Sequence, residues 1–557
     1  MTAPYAPAAR DGAGAHRAPG VDGAPFAGTE RSVNGAPRAD DAPPVGDVLH
    51  AIAGASASAG YGLYLGAGTS GPVWAPPEQA VLVLGPPRSG KTTALVVPAV
   101  LGAQGPVVST STKPDVLNLT ATARQRKGPC LVYDPSGTVD VPSGVALTRW
   151  SPVTRCTRWD DALMVSERLV SSVRPGHGPR TDSIDHWTER AQALLAPLLH
   201  AAALEEIEMA GVLRWVDRRE SSHAMAILER AGSEAPADQL AGIALTEARE
   251  LSGIWSTASS VLSAYRSAAA LATTVAPDFD AREFCDSGGT LYVCATGSRQ
   301  ALAAPLVVSL ISEIRDAAYT RSAERASIQG AAHSRMPQRS PPLVLALDEV
   351  ANIAPLADLP SIVSEGGSQG VITLACLQDL SQARERWGRM AEGFLSLFGT
   401  TIVLPGIGDV RTLETLSTLA GEREVQTRSV SAPVPSSRGA IARAVVRRIV
   451  RGPGSLPTDR VPTVTFSTVN RPRLAPDVAA RGEPGTALMV DERNRMSWIR
   501  LTRCHESRPW CWVVGSPEPG RRSGAAERSE VERGPAVRGL SHGLRPELPG
   551  EGMELGR

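Results

Sequence analysis

The run Val81-Leu82-Val83-Leu84-Gly85-Pro86-Pro87-Arg88-Ser89-Gly90-Lys91-Thr92-Thr93 decides the fold. Four consecutive apolar residues predict a buried strand. The next eight match G-x-x-x-x-G-K-[ST], a loop that opens into a helix. Such a loop turns successive backbone N–H groups inward as an anion nest, and the helix adds the positive end of its dipole. Gly85 and Gly90 let the backbone turn tightly and approach a phosphate. Lys91 brings a mobile charge to the β- and γ-phosphates, and Thr92 offers a hydroxyl to Mg²⁺. Gly85, Pro86, Pro87, Arg88, Ser89, Gly90, Lys91, Thr92 and Thr93 are therefore the expected nucleotide-binding residues.

Lysine usage supports this reading. The chain has three lysines, Lys91, Lys113 and Lys127, and otherwise writes its cations as arginine. One of the three stands where a compact ammonium fits and a planar guanidinium does not.

Outward from this loop, short apolar runs alternate with helical patterns. Pro106–Thr110 and Cys130–Tyr133 read as strands, and Val116–Arg126 as the helix between them. That spacing implies parallel βαβ units. The helix after the loop is expected over Thr92–Leu101, kinked or ended by Pro98. From residue 155 to about 275, strand signals fade and helical periodicity takes over. Trp187, Ala191, Leu194, Leu195, Leu198 and Leu199 share one helical face. Trp187, Trp215 and Trp255 are expected to fill the core there rather than to stack on bases. The sheet resumes at Gly289–Ala295 and is followed by an amphipathic helix, Ala301–Tyr319, and a loop over 321–342.

Leu343-Val344-Leu345-Ala346-Leu347-Asp348-Glu349 is the second diagnostic run. A buried parallel strand ending in two acids places them where open α/β sheets bind ligands. Asp348 is expected to hold Mg²⁺ and Glu349 to act as general base on the attacking water. Val371–Leu377 predicts a further strand, with Gln378 at its end as a sensor of the γ-phosphate. Thr401–Leu404 is one more strand. Residues 425–460 read as turns around a basic run, Arg443 to Arg451, and Gly485–Val490 with Ser497–Leu501 as a closing hairpin.

Composition sets limits on the rest. Fifty-seven basic residues balance 57 acidic ones, so bulk charge names no nucleic-acid partner, although a local basic surface remains open. Seven scattered cysteines without a C-x-x-C pair argue against zinc and against a disulfide framework, and fit a reducing cytoplasm. Residues 1–46 and those beyond about 505 have the composition of disordered tails. No signal peptide is visible at the N-terminus. Val48–Pro77 carries no charge, but its most apolar part is shorter than the roughly 20 residues a membrane span needs. It is expected to lay a short strand and loop against the core.

The ordered set of motifs resembles the TraG/TraD-like coupling proteins of type IV secretion. The residues carrying the resemblance are Val81–Thr93, Ser109–Asp115, Tyr133-Asp134-Pro135, Trp150-Ser151-Pro152, Leu347-Asp348-Glu349 and Leu377–Gln382. The resemblance implies an α/β, RecA-like P-loop NTPase core with an inserted all-α domain. The core would occupy residues 47–154 and 276–505, and the insertion 155–275. It implies a homo-hexameric ring that uses ATP and Mg²⁺ to move single-stranded DNA, or a DNA–relaxase complex, to a secretion channel at the cytoplasmic face of the plasma membrane. Two features depart from that pattern. No transmembrane helix is convincing, so membrane association would run through a partner. The turn Glu365–Gly370 lacks the arginine that family members often carry there to complete a neighbour's site. Arg384, Arg386, Arg389 and Arg411 are the substitutes on offer. Two other readings compete: a nucleotide-binding cargo receptor with little turnover, and a DNA-partitioning or packaging ATPase on the same fold.

Overall fold

The structure, a computed structural model, describes residues 43–173, 182–295, 300–331, 340–431, 446 and 463–515. Fourteen strands are described: β1 (Tyr64–Gly68), β2 (Gly71–Trp74), β3 (Val81–Leu84), β4 (Val107–Ser111), β5 (Cys130–Tyr133), β6 (Ala146–Leu147), β7 (Thr290–Cys294), β8 (Leu343–Leu347), β9 (Val371–Leu377), β10 (Thr400–Val403), β11 (Glu422–Ser431), β12 (Thr463–Pro472), β13 (Thr486–Val490) and β14 (Met496–Arg500). Twelve form one sheet in the order β2-β1-β14-β13-β10-β3-β9-β8-β4-β7-β5-β6. From β10 to β6 every neighbouring pair is parallel. From β10 through β13, β14 and β1 to β2 every pair is antiparallel.

The central strands are apolar throughout because both faces of the sheet are covered. β3, β8 and β9 are buried at every position. Their side chains alternate between two cores, as the period of a strand requires. Leu82, Leu84, Leu345 and Leu347 join one core, with the helices that follow β6. Val81, Val83, Val344 and Ala346 join the other, under helices Val45–Ser58, Val97–Gly102 and Asp115–Arg124.

The helices expected after residue 155 are present. Trp159–Val173, Asp182–Leu204, Met209–Arg218, Ser222–Arg230, Glu234–Ala244 and Ala248–Val261 lie between β6 and β7. Ala191, Leu194, Leu195, Leu198 and Leu199 are fully buried, and Trp215 and Trp255 nearly so. The Trp187 ring lies on Gly253, where an added Cβ would come within 2.4 Å of it. These tryptophans are core.

Several expectations are corrected. Pro98 does not end the helix after the loop. A wide π turn, Thr92–Val96, leads into Val97–Gly102, whose first turn contains Pro98, where a missing N–H costs little. Val48–Pro77 begins within a helix, Val45–Ser58, that buries Val48, Leu49 and Ile52 against protein and then passes into β1 and β2. No helix among the described residues is long and apolar enough to cross a membrane. The helix Gln300–Ala331 runs well past Tyr319, and Arg282 pairs with Glu324 at 2.7 Å on its extension. Residues 425–431, expected as turns, lie in strand β11, which pairs with β12, and the rest of the 425–460 stretch apart from Val446 lies outside the described residues. Beyond residue 505, Trp510–Val514 is a helix whose Trp510 is buried, its ring 5.1 Å from Tyr64. The basic run 443–451, apart from Val446, and the tails before residue 43 and after 515 lie outside the described residues.

Candidate nucleotide site

Strand order assembles the site. β9 lies between β3 and β8, so the loop after β3, Gln378 after β9, and Asp348 and Glu349 after β8 emerge side by side at the carboxyl edge of the parallel strands. Thr92 and Asp348, 256 positions apart, thereby line one crevice: Leu84 pairs with Leu377 from one side of β9, and Leu347 with Ala375 from the other.

The loop itself shows why its glycines stand where they do. Gly90 has φ +97°, the left-handed region that a side chain rarely adopts. A Cβ on Gly85 would meet Ser89 Oγ at 2.9 Å and Leu404 Cβ at 3.0 Å. The Gly85 N–H donates to the Leu377 carbonyl at 3.1 Å, fixing the loop to the end of β9. Lys91 is 6% exposed, and its Nζ donates to the Gly85 and Pro86 carbonyls at 2.6 and 3.0 Å. Its charge is thus curled over the crevice and held by neutral oxygens, from which an anion can take it.

Thr92 Oγ1 donates to Asp348 Oδ2 at 2.7 Å. Asp348 is buried, and burial raises its carboxyl above the usual range, against the lowering effect of the Thr92 hydrogen bond. Thr110, at the end of β4, donates its hydroxyl to the Asp348 carbonyl at 3.1 Å and fixes the backbone there. Glu349 is half-buried and takes φ 55°, ψ 47°, a left-handed conformation costing a non-glycine residue on the order of 1 kcal/mol. That twist opens helix Val350–Ile353, and Asn352 Nδ2 donates to Glu349 Oε2 at 3.3 Å.

The residues fit a magnesium nucleotide. Ser89 Oγ is buried in the loop with no hydrogen-bond partner, an orphan that a phosphate oxygen would satisfy. Open space surrounds Gly90, where an added Cβ would meet nothing within 4 Å. A hydroxyl in contact with a carboxylate is also the hard oxygen pair that Mg²⁺ prefers.

The motif ending in Gln382 orders the far wall. The Gln378 N–H donates to Gln382 Oε1 at 3.0 Å, and Asp379 caps helix Leu380–Trp387 by accepting from the Ser381 N–H at 2.8 Å. Sequence reasoning missed the next layer. The Leu380 N–H donates to Thr412 Oγ1 at 3.1 Å, Thr412 donates to Asp409, and Arg384 donates to Asp409 at 2.6 Å. Asp409 follows the loop whose Leu404 and Gly406 lie against Gly85 and Pro86. Only the D-x-x-T cap at Asp409 and Thr412 signalled this cluster in the sequence. It also engages one guanidinium nitrogen of Arg384 within its own chain, which counts against Arg384 as a trans arginine. Arg386 is half-buried, whereas Arg389 and Arg411 are exposed.

Two other motifs prove structural. The Asp134 carboxylate accepts from the N–H groups of Ser136, Gly137, Thr138 and Val139 at 2.6 to 2.9 Å, which fastens the turn after β5. Trp150 Nε1 donates to the buried carboxylate of Glu313 at 2.8 Å, tying the lead into the helical insertion to the long helix Gln300–Ala331. From that helix Arg315 pairs with Asp358, downstream of the acidic strand, and with Asp316, which Arg168 of the insertion also contacts at 2.6 Å.

A parallel sheet with a glycine-rich anion loop after one strand, acids after another and a glutamine after the strand between them defines a RecA-like P-loop nucleotide-binding protein. The sequence model of the family described as Type IV secretory system Conjugative DNA transfer matches residues 47–443, and the chain belongs to that family. No curated protein matches it. Among solved structures it is similar to the unbound bacterial conjugative coupling protein TrwBdeltaN70, at 19% identity and a TM-score of 0.55, over 76% of this chain and 85% of that one. The plasmid coupling protein TrwB in complex with the non-hydrolysable ATP analogue ADPNP matches at 19% identity and 0.54, over 77% and 86%. The same protein with ADP and Mg²⁺ matches at 18% and 0.52, over 76% and 86%.

Proposed function

We propose that this protein is an ATP-hydrolysing coupling protein that recruits DNA, or a DNA–relaxase complex, and drives it toward a type IV secretion channel. The observation that carries the proposal is the 2.7 Å contact between Thr92 and Asp348 across the crevice between β3 and β8. It sets side by side, next to Lys91 in sequence, the two oxygens that would hold a nucleotide-bound Mg²⁺. TrwB, which shares the fold, binds an ATP analogue and ADP with Mg²⁺, and those ligands suit the residues here.

In this reading the loop N–H groups, Ser89 and Lys91 hold the phosphates, and Thr92 and Asp348 would hold Mg²⁺, which would supply charge to neutralise the transferring phosphoryl group. Glu349 orients the attacking water and takes its proton. Gln378, fixed by Gln382 and by the tether from Gly85 to Leu377, reads the terminal phosphate. The α/β core at 47–154 and 276–505 is the motor, assembled as a homo-hexamer, and the helical insertion at 155–275 faces cargo. The work is done at the cytoplasmic face of the membrane, which the protein reaches through a partner.

A second reading, a nucleotide-loaded receptor with little turnover of its own, draws support from the arginine-free turn Glu365–Gly370 and from the engagement of Arg384 by Asp409. Glu349→Gln separates the two. In a motor it retains ATP in a filter-binding assay while DNA transfer in a mating assay is lost. Transfer at the wild-type level in that variant contradicts the motor.

A further inference from the structure

The glycine-rich loop after β3 contains a residue that its backbone does not favour. The Ser89 N–H donates to the Pro86 carbonyl at 3.3 Å, which closes a four-residue turn with Pro87 and Arg88 at its corners. Proline holds the first corner near φ about −65°, and Arg88 takes φ +64° at the second. That succession is a type II turn, whose second corner calls for glycine or asparagine. The other left-handed position of the loop, φ +97°, is occupied by Gly90. A long charged side chain at a glycine corner carries a backbone cost, and such costs gather where the side chain has a function. Glu349, the other left-handed non-glycine residue of the crevice, fits that pattern.

Position and chemistry indicate which function. Ser89 Oγ is buried without a partner, so a phosphate oxygen that satisfies it lies one residue from the Arg88 backbone. Lys91 Nζ reaches the Gly85 and Pro86 carbonyls, which puts its charge at the start of the same turn. Arg88 itself is exposed, and no hydrogen bond or ion pair engages its guanidinium among the described residues. The segments that line the crevice, residues 85–93, 348–353 and 378–382, contain no other arginine. A planar guanidinium bridges two oxygens of one phosphoryl group, which the point charge of Lys91 cannot do. A merely solvated arginine would need neither the left-handed corner nor the orphan hydroxyl beside it.

We infer that Arg88 is a catalytic residue supplied in cis: its guanidinium contacts the transferring phosphoryl group of the nucleotide bound in its own chain and stabilises the charge that develops there. The water oxygen forms its bond to the γ-phosphorus as the bond to the bridging oxygen breaks. ADP leaves with that electron pair, and the water proton passes to Glu349. Arg88 keeps all its protons and acts by charge and position alone. The inference rests on the ATP-hydrolysing reading of the crevice and adds a residue to it.

The test pairs thermal unfolding of the full chain with kinetics in Arg88→Gly and Arg88→Lys. Without nucleotide, Arg88→Gly is expected to unfold at the wild-type temperature or above it, because glycine suits the corner. Thermal shifts are then read with ADP and Mg²⁺, and with the same mixture plus aluminium fluoride, which mimics the phosphoryl group between its two oxygens. Both variants are expected to keep the shift given by ADP, and Arg88→Gly to lose the added shift given by the fluoride. Its kcat is expected to fall about 10³-fold or more with little change in KM, and Arg88→Lys to recover part of the loss. A full fluoride shift with wild-type kcat in Arg88→Gly overturns the inference and leaves the ATPase reading standing. A weakened ADP shift and raised KM with kcat unchanged makes Arg88 a ground-state binder, and also overturns it. Activity restored by mixing Arg88→Gly with Lys91→Ala subunits puts the arginine in a neighbour's site and contradicts the assignment in cis. A wild-type protein that neither ADP nor the fluoride mixture shifts overturns the nucleotide reading itself, and the inference with it.

Discussion

Glu313 offers a quantitative test of how the helical insertion is joined to the sheet. Its carboxylate is 7% exposed, accepts from Trp150 Nε1, and is pushed up from 4.5 to about 7, chiefly by burial. Arg155 and Arg168 act to lower it and Asp280 to raise it, none enough to offset the loss of water. A carboxyl displaced upward holds its proton more tightly folded than unfolded. Its contribution is therefore full below about pH 4.5, declines as the pH rises toward 7, and becomes a constant penalty above that. At roughly 1.4 kcal/mol per pH unit of displacement, the penalty at pH 8 is about 3 kcal/mol. Glu313→Gln keeps an acceptor for Trp150 and removes the ionisation. Urea unfolding followed by tryptophan fluorescence should show the variant more stable than wild type by about 2 to 3 kcal/mol at pH 8 and nearly equal to it at pH 5. A difference of the same size and sign at both values would refute the reasoning, because it would mean that packing and not ionisation sets the cost.

Arg124 is almost fully buried and donates to Thr290 Oγ1 and to the carbonyls of Ala103, Gly105 and Gly288. Arg124→Met keeps the volume but strands those acceptors, at about 1 to 3 kcal/mol each, so its urea midpoint should fall sharply. Arg384 and Arg411 should separate by mechanism. Arg384→Ala removes the partner of Asp409 and should lower thermal stability together with turnover. Arg411→Ala should leave stability unchanged and, if that exposed side chain completes a neighbouring subunit's site, lower kcat about 10³-fold with little change in nucleotide affinity. Mixing Arg411→Ala with Lys91→Ala subunits would then restore part of the activity.

The parallel core was legible because its strands carry a local signal. Val81–Leu84, Leu343–Leu347 and Val371–Leu377 are each too apolar for any position but a doubly covered strand, and the glycines and acids at their ends are punctuation. Residues whose role depends on distant partners were not legible. Thr110 matters because β4 pairs with β8, and Arg384 because the loop after β10 returns to it. Residues 425–431 carry no strand signal because the polar, β-branched segment Glu422–Ser431 shows neither an apolar run nor a clean alternation. The helix Trp510–Val514 carries no local signal that separates it from the tail, because its tryptophan finds its core beside Tyr64, more than 400 residues earlier.

The most direct test of the central claim is steady-state ATP hydrolysis by the purified protein, with and without single-stranded DNA, beside Lys91→Ala. The account predicts turnover that rises with DNA and disappears in the variant. Tight binding of ATP with no turnover under either condition would contradict it and leave a receptor in place of a motor.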